Sequence, residues 1–273
     1  RGHVGEGRAT IAALLDRDRA PSLARARLLN GAGRLAWAQN NWQEALALLE
    51  ESRRLCAELG DTSGSASALN YLGEVAEAQG DYAQAAAHFA ESLALFQQLG
   101  DREGSAAVLV SYGQMMQAQG QHERAAELVA ASLSLFEELG DRRGLAVALT
   151  VQGQALQTLG EFGRAEALFA RSLELFRGLG YRHGMSWALT NQGQAALAQG
   201  EAARAEQFFA ASIEVYAELG DQRGQAWAMA NQGQAAAAQG EDVRALDLLE
   251  RSVALFDALG DQRGYAWALY FAA

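Results

Sequence analysis

The sequence predicts an all-α protein, an array of antiparallel helix pairs repeating every 40 residues. Three observations carry this prediction. The composition is helix-compatible: alanine dominates the apolar set and there is one proline in 273 residues. Alanine is the best helix former and lets helices pack closely. The sequence is also self-similar at a fixed interval, with nothing inserted or deleted between copies. Finally, glycine falls at regular points where each apolar stripe stops.

The glycine series define the repeat. One runs through 60, 100, 140, 180, 220 and 260, and another through 80, 120, 160, 200 and 240. A third occupies 33, 73, 113, 153, 193 and 233, and a fourth 64, 104, 144, 184, 224 and 264. Alanine recurs at 45, 85, 125, 165, 205 and 245, and serine at 52, 92, 132, 172, 212 and 252.

In chain order, GHVGEG (2–7) follows no strand and reads as linker, and residues 7–17 read as a helix preceding the array. Pro21 stands at the junction before helix 22–39, where proline costs little. Each period then divides into two helical segments, such as 62–79 and 82–99. Asp101, Asp141, Asp221 and Asp261 directly follow helix-ending glycines and can cap the next helix. The second segment carries a single apolar stripe, Ala85, Phe89, Ser92, Leu93 and Phe96. Cys56 takes the phase held elsewhere by Phe96, Phe136 and Phe176, so it reads as a buried substitute. Gly73, Gly113, Gly153, Gly193 and Gly233 lie inside helices, where glycine costs roughly 0.5–1 kcal/mol relative to alanine. Close approach of the paired helix, with the small Ala85 and Ser92 opposite Gly73, is the expected reason.

The stretch ALNYLGEVAEAQGDYAQAAAHFAESL (68–93) resembles the tetratricopeptide repeat family. Leu72, Gly73, Gly80, Tyr82, Ala85 and Phe89 match that family's positions, whereas Ser92 replaces the terminal alanine and the late proline is missing. The 40-residue period and the LGDxRG join resemble long-repeat members. These include Leu-Gly-Asn proteins, bacterial peptide-pheromone sensors and the C-terminal arms of signal-transducing ATPase regulators such as the maltose activator. The resemblance covers residues 22–273. It implies a right-handed α-solenoid, or superhelix, with first helices on the concave wall and second helices outside. The expected organisation is a linker and preceding helix at 1–21, then six repeats: 22–61, 62–101, 102–141, 142–181, 182–221 and 222–261. Residues 262–273 form the first helix of a truncated seventh. Tyr265, Trp267, Leu269, Tyr270 and Phe271 are then expected to leave apolar surface uncovered, since repeat arrays need polar caps. Without an initiator methionine, the chain is expected to be a piece of a longer protein.

Several functions are excluded or disfavoured. All 22 basic residues are arginine, which removes Schiff-base chemistry and any phosphate loop that needs its lysine. A net charge of −11 gives no nucleic-acid footprint. No apolar run approaches membrane-spanning length, and no secretory signal is visible. One cysteine cannot form an internal disulfide and fits a reducing compartment, so a cytoplasmic location is expected. His3, His88, His122 and His183 fall at unrelated phases without metal-ligand spacing. No acid–base pair, triad or cofactor motif occurs; neither catalysis, a metal nor a cofactor is expected.

The phrase NQGQAALAQGE (191–201) returns as NQGQAAAAQGE (231–241). Trp187, Asn191, Gln194 and Ala198 share one helix face, and Trp227, Asn231, Gln234 and Ala238 repeat it. Trp267 opens a third copy. Earlier copies diverge: Arg27, Gly31, Arg34; Ser67, Tyr71, Glu74; Ala107, Ser111, Gln114; Val147, Val151, Gln154. In the resembled family these phases face the groove, and an asparagine there holds a ligand peptide's backbone. Amides donate and accept, which suits an extended backbone, and tryptophan supplies apolar burial. Trp187, Asn191, Gln194, Trp227, Asn231, Gln234, Trp267, Gln154 and Gln114 are therefore candidate groove residues. The alternative is that the tryptophans pack between repeats while the amides solvate the wall or bridge neighbouring helices. Gln152, Gln192 and Gln232 occupy the phase of Leu72, which the family buries, and their partners cannot be read from sequence.

The leading expectation is a non-catalytic module that binds a protein or peptide in its concave groove, within a larger bacterial signalling or transcription regulator. A basic carboxylate clamp does not fit, because the later groove phases are amide and aromatic; Arg27 and Arg34 add little. Two alternatives stand beside it. One is a sensing arm for a small, sugar-like effector, which a bounded pocket would favour. The other is a scaffold that self-associates end to end through residues 262–273.

Overall fold

The computed structural model of the protein describes residues 11, 14, 15, 20–39 and 41–272. The linker and helix expected within residues 1–21, with His3, lie almost wholly outside the described residues. Among those described, the regular structure is entirely α-helical. The chain divides into two compact units, one ending at Gly140 and the other beginning at Asp141.

The first unit contains α1 (Leu23–Ala38), α2 (Trp42–Glu58), α3 (Thr62–Ala78), α4 (Tyr82–Leu99), α5 (Arg102–Ala118) and α6 (His122–Leu139). The second contains α7 (Arg142–Thr158), α8 (Phe162–Gly178), α9 (Arg182–Ala198), α10 (Ala202–Leu219), α11 (Gln222–Ala238), α12 (Asp242–Leu259) and α13 (Gln262–Ala272). In each unit every helix packs against its neighbours in sequence. Successive first helices also touch: α1 with α3 and α3 with α5 in the first unit, and α7 with α9, α9 with α11 and α11 with α13 in the second. The backbones of the described second helices stay apart, and only long side chains reach between them. Each unit is therefore an α-solenoid that bends toward its first helices, which form the inner face.

Local chemistry starts and stops these helices. The carboxylates of Asp61, Asp101, Asp221 and Asp261 accept the N–H three residues on at 2.8–3.0 Å, satisfying an orphan donor of the first turn. Asp141 caps α7 in the same way. Tyr181 breaks the series and makes no capping bond; Arg143 lies over its ring at 4.6 Å instead. At the far end, Gly100 has φ 67°, the left-handed conformation, and its N–H bonds the Gln97 carbonyl. A side chain there would strain the backbone.

The core follows the predicted stripe. Ala85, Phe89, Ser92 and Phe96 are buried on α4, and Ala45, Leu49, Ser52 and Cys56 on α2. Burying a side chain the size of Phe89 contributes about 1.5–3 kcal/mol. Cys56 is 1% exposed, and burial pushes its thiol up. The serines bond across each pair: Ser92 Oγ donates to the Ala66 carbonyl at 2.7 Å, and Ser52, Ser172, Ser212 and Ser252 repeat this at 2.8–3.0 Å. Ser132 departs and bonds the Val129 carbonyl of its own helix.

The reason for the intrahelical glycines differs from expectation. The large side chain of the paired helix fills the space, not Ala85 or Ser92. A Cβ on Gly73 would lie 2.6 Å from the Phe89 ring, and on Gly193 2.5 Å from Phe209. Val129 opposes Gly113, Phe169 opposes Gly153 and Leu249 opposes Gly233 in the same way. The fourth glycine series works between pairs: Cβ atoms on Gly104, Gly184 and Gly264 would meet Phe96, Phe176 and Phe256 at 2.4–2.5 Å. Cys56 takes this place beside Gly64 and Tyr216 beside Gly224.

Candidate functional site

In the second unit the amides of the inner face form a ladder between first helices. Gln154 Nε2 on α7 donates to Asn191 Oδ1 on α9 at 3.0 Å, and Gln194 Nε2 on α9 donates to Asn231 Oδ1 on α11 at 3.3 Å. Each asparagine also donates Nδ2 back to the carbonyl four residues earlier in its own helix, Trp187 or Trp227, at 2.8 Å. Asn191 is 3% exposed and Asn231 4%. These two asparagines, expected to present amides to a ligand, are thus spent on joining adjacent pairs. Burial explains this: an amide at that depth needs internal partners.

What the ladder leaves open is a recess of about 330 Å³ between α9 and α11. It brings together Trp187, Trp227, Gln154 and Gln194 over the two asparagines, so six of the nine expected groove residues share one site. Gln154 and Gln194 each use one N–H in the ladder, and their carbonyl oxygens are not consumed by it. Trp187 and Trp227 are half-buried. Trp227 packs against Phe256 and Trp267, both with ring centroids 5.1 Å away.

The other three candidates fall elsewhere. Trp267 packs between Trp227 and Phe271 and does not line the recess. Gln234 stands at the ladder phase, but its counterpart 37 residues on is Phe271, and its buried Nε2 has no partner among the described residues. Gln114 belongs to the first unit, partly buried on α5. At the same phase there, Ser111 Oγ donates to Glu74 Oε1 at 3.0 Å, so the first unit builds one rung from a hydroxyl and a carboxylate. Gln192 is 5% exposed and its Oε1 has no partner among the described residues; Gln232 is also buried.

Sequence reasoning passed over four further polar residues at the recess: Thr190, Tyr216, Asp221 and Arg223. Tyr216 was the legible one. It stands at the phase of Phe96 and Phe256 and adds a hydroxyl to a place those residues keep apolar. Burial raises its phenol, partly offset by hydrogen bonding with Ser186 and Thr190. Arg223 Nε pairs with Asp261 Oδ2 at 3.0 Å. The recess therefore offers indole surface, amide carbonyls and one half-exposed guanidinium, which suits a polar chain carrying an apolar side group.

Outside the recess, carboxylates and arginines bridge successive second helices: Arg204 pairs with Glu166, and Arg244 with Glu206. On α13, Leu269, Tyr270 and Phe271 are exposed, while Tyr265 and Trp267 are half-buried. No group of His, Cys, Asp and Glu among the described residues could hold a metal ion. No described helix is long and apolar enough to cross a membrane.

Comparison with known proteins places this geometry. The family model described as tetratricopeptide repeat matches residues 24–98, 64–138, 104–178 and 184–272. No curated protein matches the chain in sequence. Among solved structures, BtubC (BKLC) from P. vanneervenii superposes with a TM-score of 0.66 at 19% identity, over 83% of this chain and 94% of that one. A Rap protein complexed with Competence and Sporulation Factor gives a TM-score of 0.71 at 14% identity, over 91% of this chain and 74% of that one. A Signal Transduction ATPase with Numerous Domains with a tetratricopeptide repeat sensor, from Pyrococcus horikoshii, gives 0.64 at 11% identity, over 90% and 41%. At these identities the likeness is one of fold.

Proposed function

The chain belongs to the tetratricopeptide repeat family, and from that premise we propose that its second unit holds an extended protein segment in the recess between α9 and α11. Proteins of this fold are typically protein-interaction modules. The observation that carries the reading is the convergence of Trp187, Trp227, Gln154 and Gln194 on one open recess, with Arg223 at its edge. The indoles take an apolar side chain. The amide oxygens accept backbone N–H groups, each bond contributing about 0.5–1.5 kcal/mol, so several must act together. Asn191 and Asn231 hold the two walls in register and act through them.

The Rap protein, complexed with Competence and Sporulation Factor, and the ATPase with its tetratricopeptide repeat sensor support a setting in signalling. In this reading the chain is the sensing arm of a larger cytoplasmic regulator, organised in the repeat frame of residues 22–261, and does no catalysis.

The test is to pan a displayed random peptide library against the chain and measure the enriched peptides on wild type, Trp187→Ala and Gln194→Ala, with circular dichroism as the folding control. Loss of roughly tenfold or more in Trp187→Ala is expected if this indole anchors the ligand. Peptides that bind both variants unchanged would move the site elsewhere. Tryptophan quenching by neutral saccharides, with no peptide enriched, would favour the small-effector alternative.

A further inference from the structure

The join between α8 and α9 departs from the others in its charges. Elsewhere an arginine that opens a first helix pairs with a glutamate near the end of the following second helix: Arg102 with Glu138, and Arg182 with Glu218. An arginine one residue further on pairs with the aspartate that caps the next first helix, as Arg223 Nε does with Asp261 Oδ2 at 3.0 Å. Arg142 and Arg143 stand at these two phases on α7, and neither finds its carboxylate. Counted by the repeat, the partner of Arg142 is Gly178 and that of Arg143 is Tyr181. Arg142 lies against the bare glycine, its Nη2 3.1 Å from where a Cβ would stand. Arg143 lies over the Tyr181 ring at 4.6 Å, and that ring packs on Phe176 with centroids 5.5 Å apart. Both guanidiniums thus rest on the turn that carries Gly178 and Tyr181. Both arginines are exposed, without a carboxylate partner among the described residues. Arg177, exposed in the last turn of α8, adds a further positive charge. Asp141, the acid nearest in sequence, is engaged in capping α7 through the N–H groups of Arg143 and Gly144.

At the other joins the counter-ion belongs to the chain; at this one both counter-ions are missing together. A guanidinium presents its donors in a planar fork that matches the oxygens of phosphate and carboxylate. Two adjacent arginines match a dianion in charge. A phosphate monoester carries about −1.5 to −2 at neutral pH, whereas a carboxylate carries a single charge. A polyanion is repelled by the net charge of −11. A single group feels mainly the arginines beside it, since salt screens exposed charges beyond about 10 Å. We propose that Arg142 and Arg143 form a site for a phosphate monoester on a phosphorylated side chain of a protein partner, which takes the place of the two missing carboxylates. Tyr181 holds Arg143 through its ring face. Gly178 leaves open the position that Glu138 and Glu218 fill at the equivalent joins. None of these residues lines the tryptophan recess, so the site does not depend on the reading of that recess.

The probes are acetylated, amidated Gly-phosphoserine-Gly, Gly-Ser-Gly and Gly-Glu-Gly, with inorganic phosphate beside them. Each is titrated into the full chain at constant ionic strength while the Nε–H signals of Arg142 and Arg143 are followed by NMR. The phosphoserine peptide is expected to shift both signals saturably, and the serine peptide neither. The glutamate peptide should bind about tenfold more weakly, because a charge-assisted contact is lost. The decisive variants, Gly178→Glu and Tyr181→Asp, restore the counter-ions of the repeat. Both residue types already stand at these phases elsewhere in the chain, so both variants should fold, with circular dichroism as the control. Each should weaken the phosphoserine peptide roughly tenfold, and the two together should abolish its binding. The proposal is overturned by no saturable shift with the phosphoserine peptide, by equal binding of the glutamate peptide, or by unchanged affinity in the double variant. Tighter binding of inorganic phosphate than of the phosphoserine peptide would overturn the protein source.

Discussion

Gln154 on α7 donates its amide N–H to Asn191 on α9, and Gln194 on α9 repeats the bond to Asn231 on α11. A single pair of residue types at two phases of the repeat thus links three successive first helices. The bond is both structural and positional: it holds the walls of the tryptophan recess while occupying the amides that face inward.

The ladder should be measurable as a coupling. In a double-mutant cycle of Gln154→Ala and Asn191→Ala, urea unfolding should give an interaction energy of about 0.5–1.5 kcal/mol. Additive effects would mean that the two amides do not bond in solution.

Glycines at different phases should respond oppositely to alanine. Gly193→Ala drives a Cβ against Phe209, where the contact would be 2.5 Å, and overpacking of this kind costs about 1–3 kcal/mol. Gly31, inside α1, has open space where a Cβ would stand, with nothing within 4 Å, and no positive φ. Gly31→Ala should therefore stabilise by roughly 0.5–1 kcal/mol. Denaturant midpoints of the two variants, moving in opposite directions from wild type, are the check.

The cross-pair serines offer a matched comparison. Ser92 bonds the Ala66 carbonyl on the partner helix, whereas Ser132 bonds only within its own. Ser92→Ala should cost about 1 kcal/mol, and Ser132→Ala less than about half of that, since its bond adds nothing between helices. Equal losses in thermal unfolding would show that the serines matter through packing alone.

These contrasts mark what was legible in the sequence. Phase alone located the helices, the capping aspartates, the left-handed glycines and the burial of Cys56, because each depends on residues near in the chain. It also assembled most of the recess, since Trp187 and Asn191 share a face by spacing. It missed that Phe89 covers Gly73, and it left open whether Asn191 faces a ligand or bridges to the neighbouring helix, because both depend on which side chain of another helix reaches across. A three-dimensional rotamer choice leaves no mark in a period of 40 residues. Arg223 and Asp221 were missed for a similar reason: they precede the inner stripe in sequence and reach the recess from the helix start.

Glu74 should make stability depend on pH. Burial pushes the carboxyls of Glu74 and Glu77 each up to about 7 from the usual 4.5, with the Glu77 charge adding at Glu74 and Ser111 and Arg34 opposing there. The folded chain then holds protons that the unfolded chain has released between those values. Stability from these groups is fully present below about pH 4.5 and is lost as pH rises through 7. The later copies at the Glu74 phase, Gln114, Gln154, Gln194 and Gln234, carry the neutral isostere. Glu74→Gln should therefore flatten the profile and stabilise the chain at pH 8 by about 1–3 kcal/mol relative to wild type, with little difference at about pH 4. Thermal unfolding of both proteins across that range reads it directly; a difference that is constant with pH would mean that Glu74 is ionised throughout and reached by water.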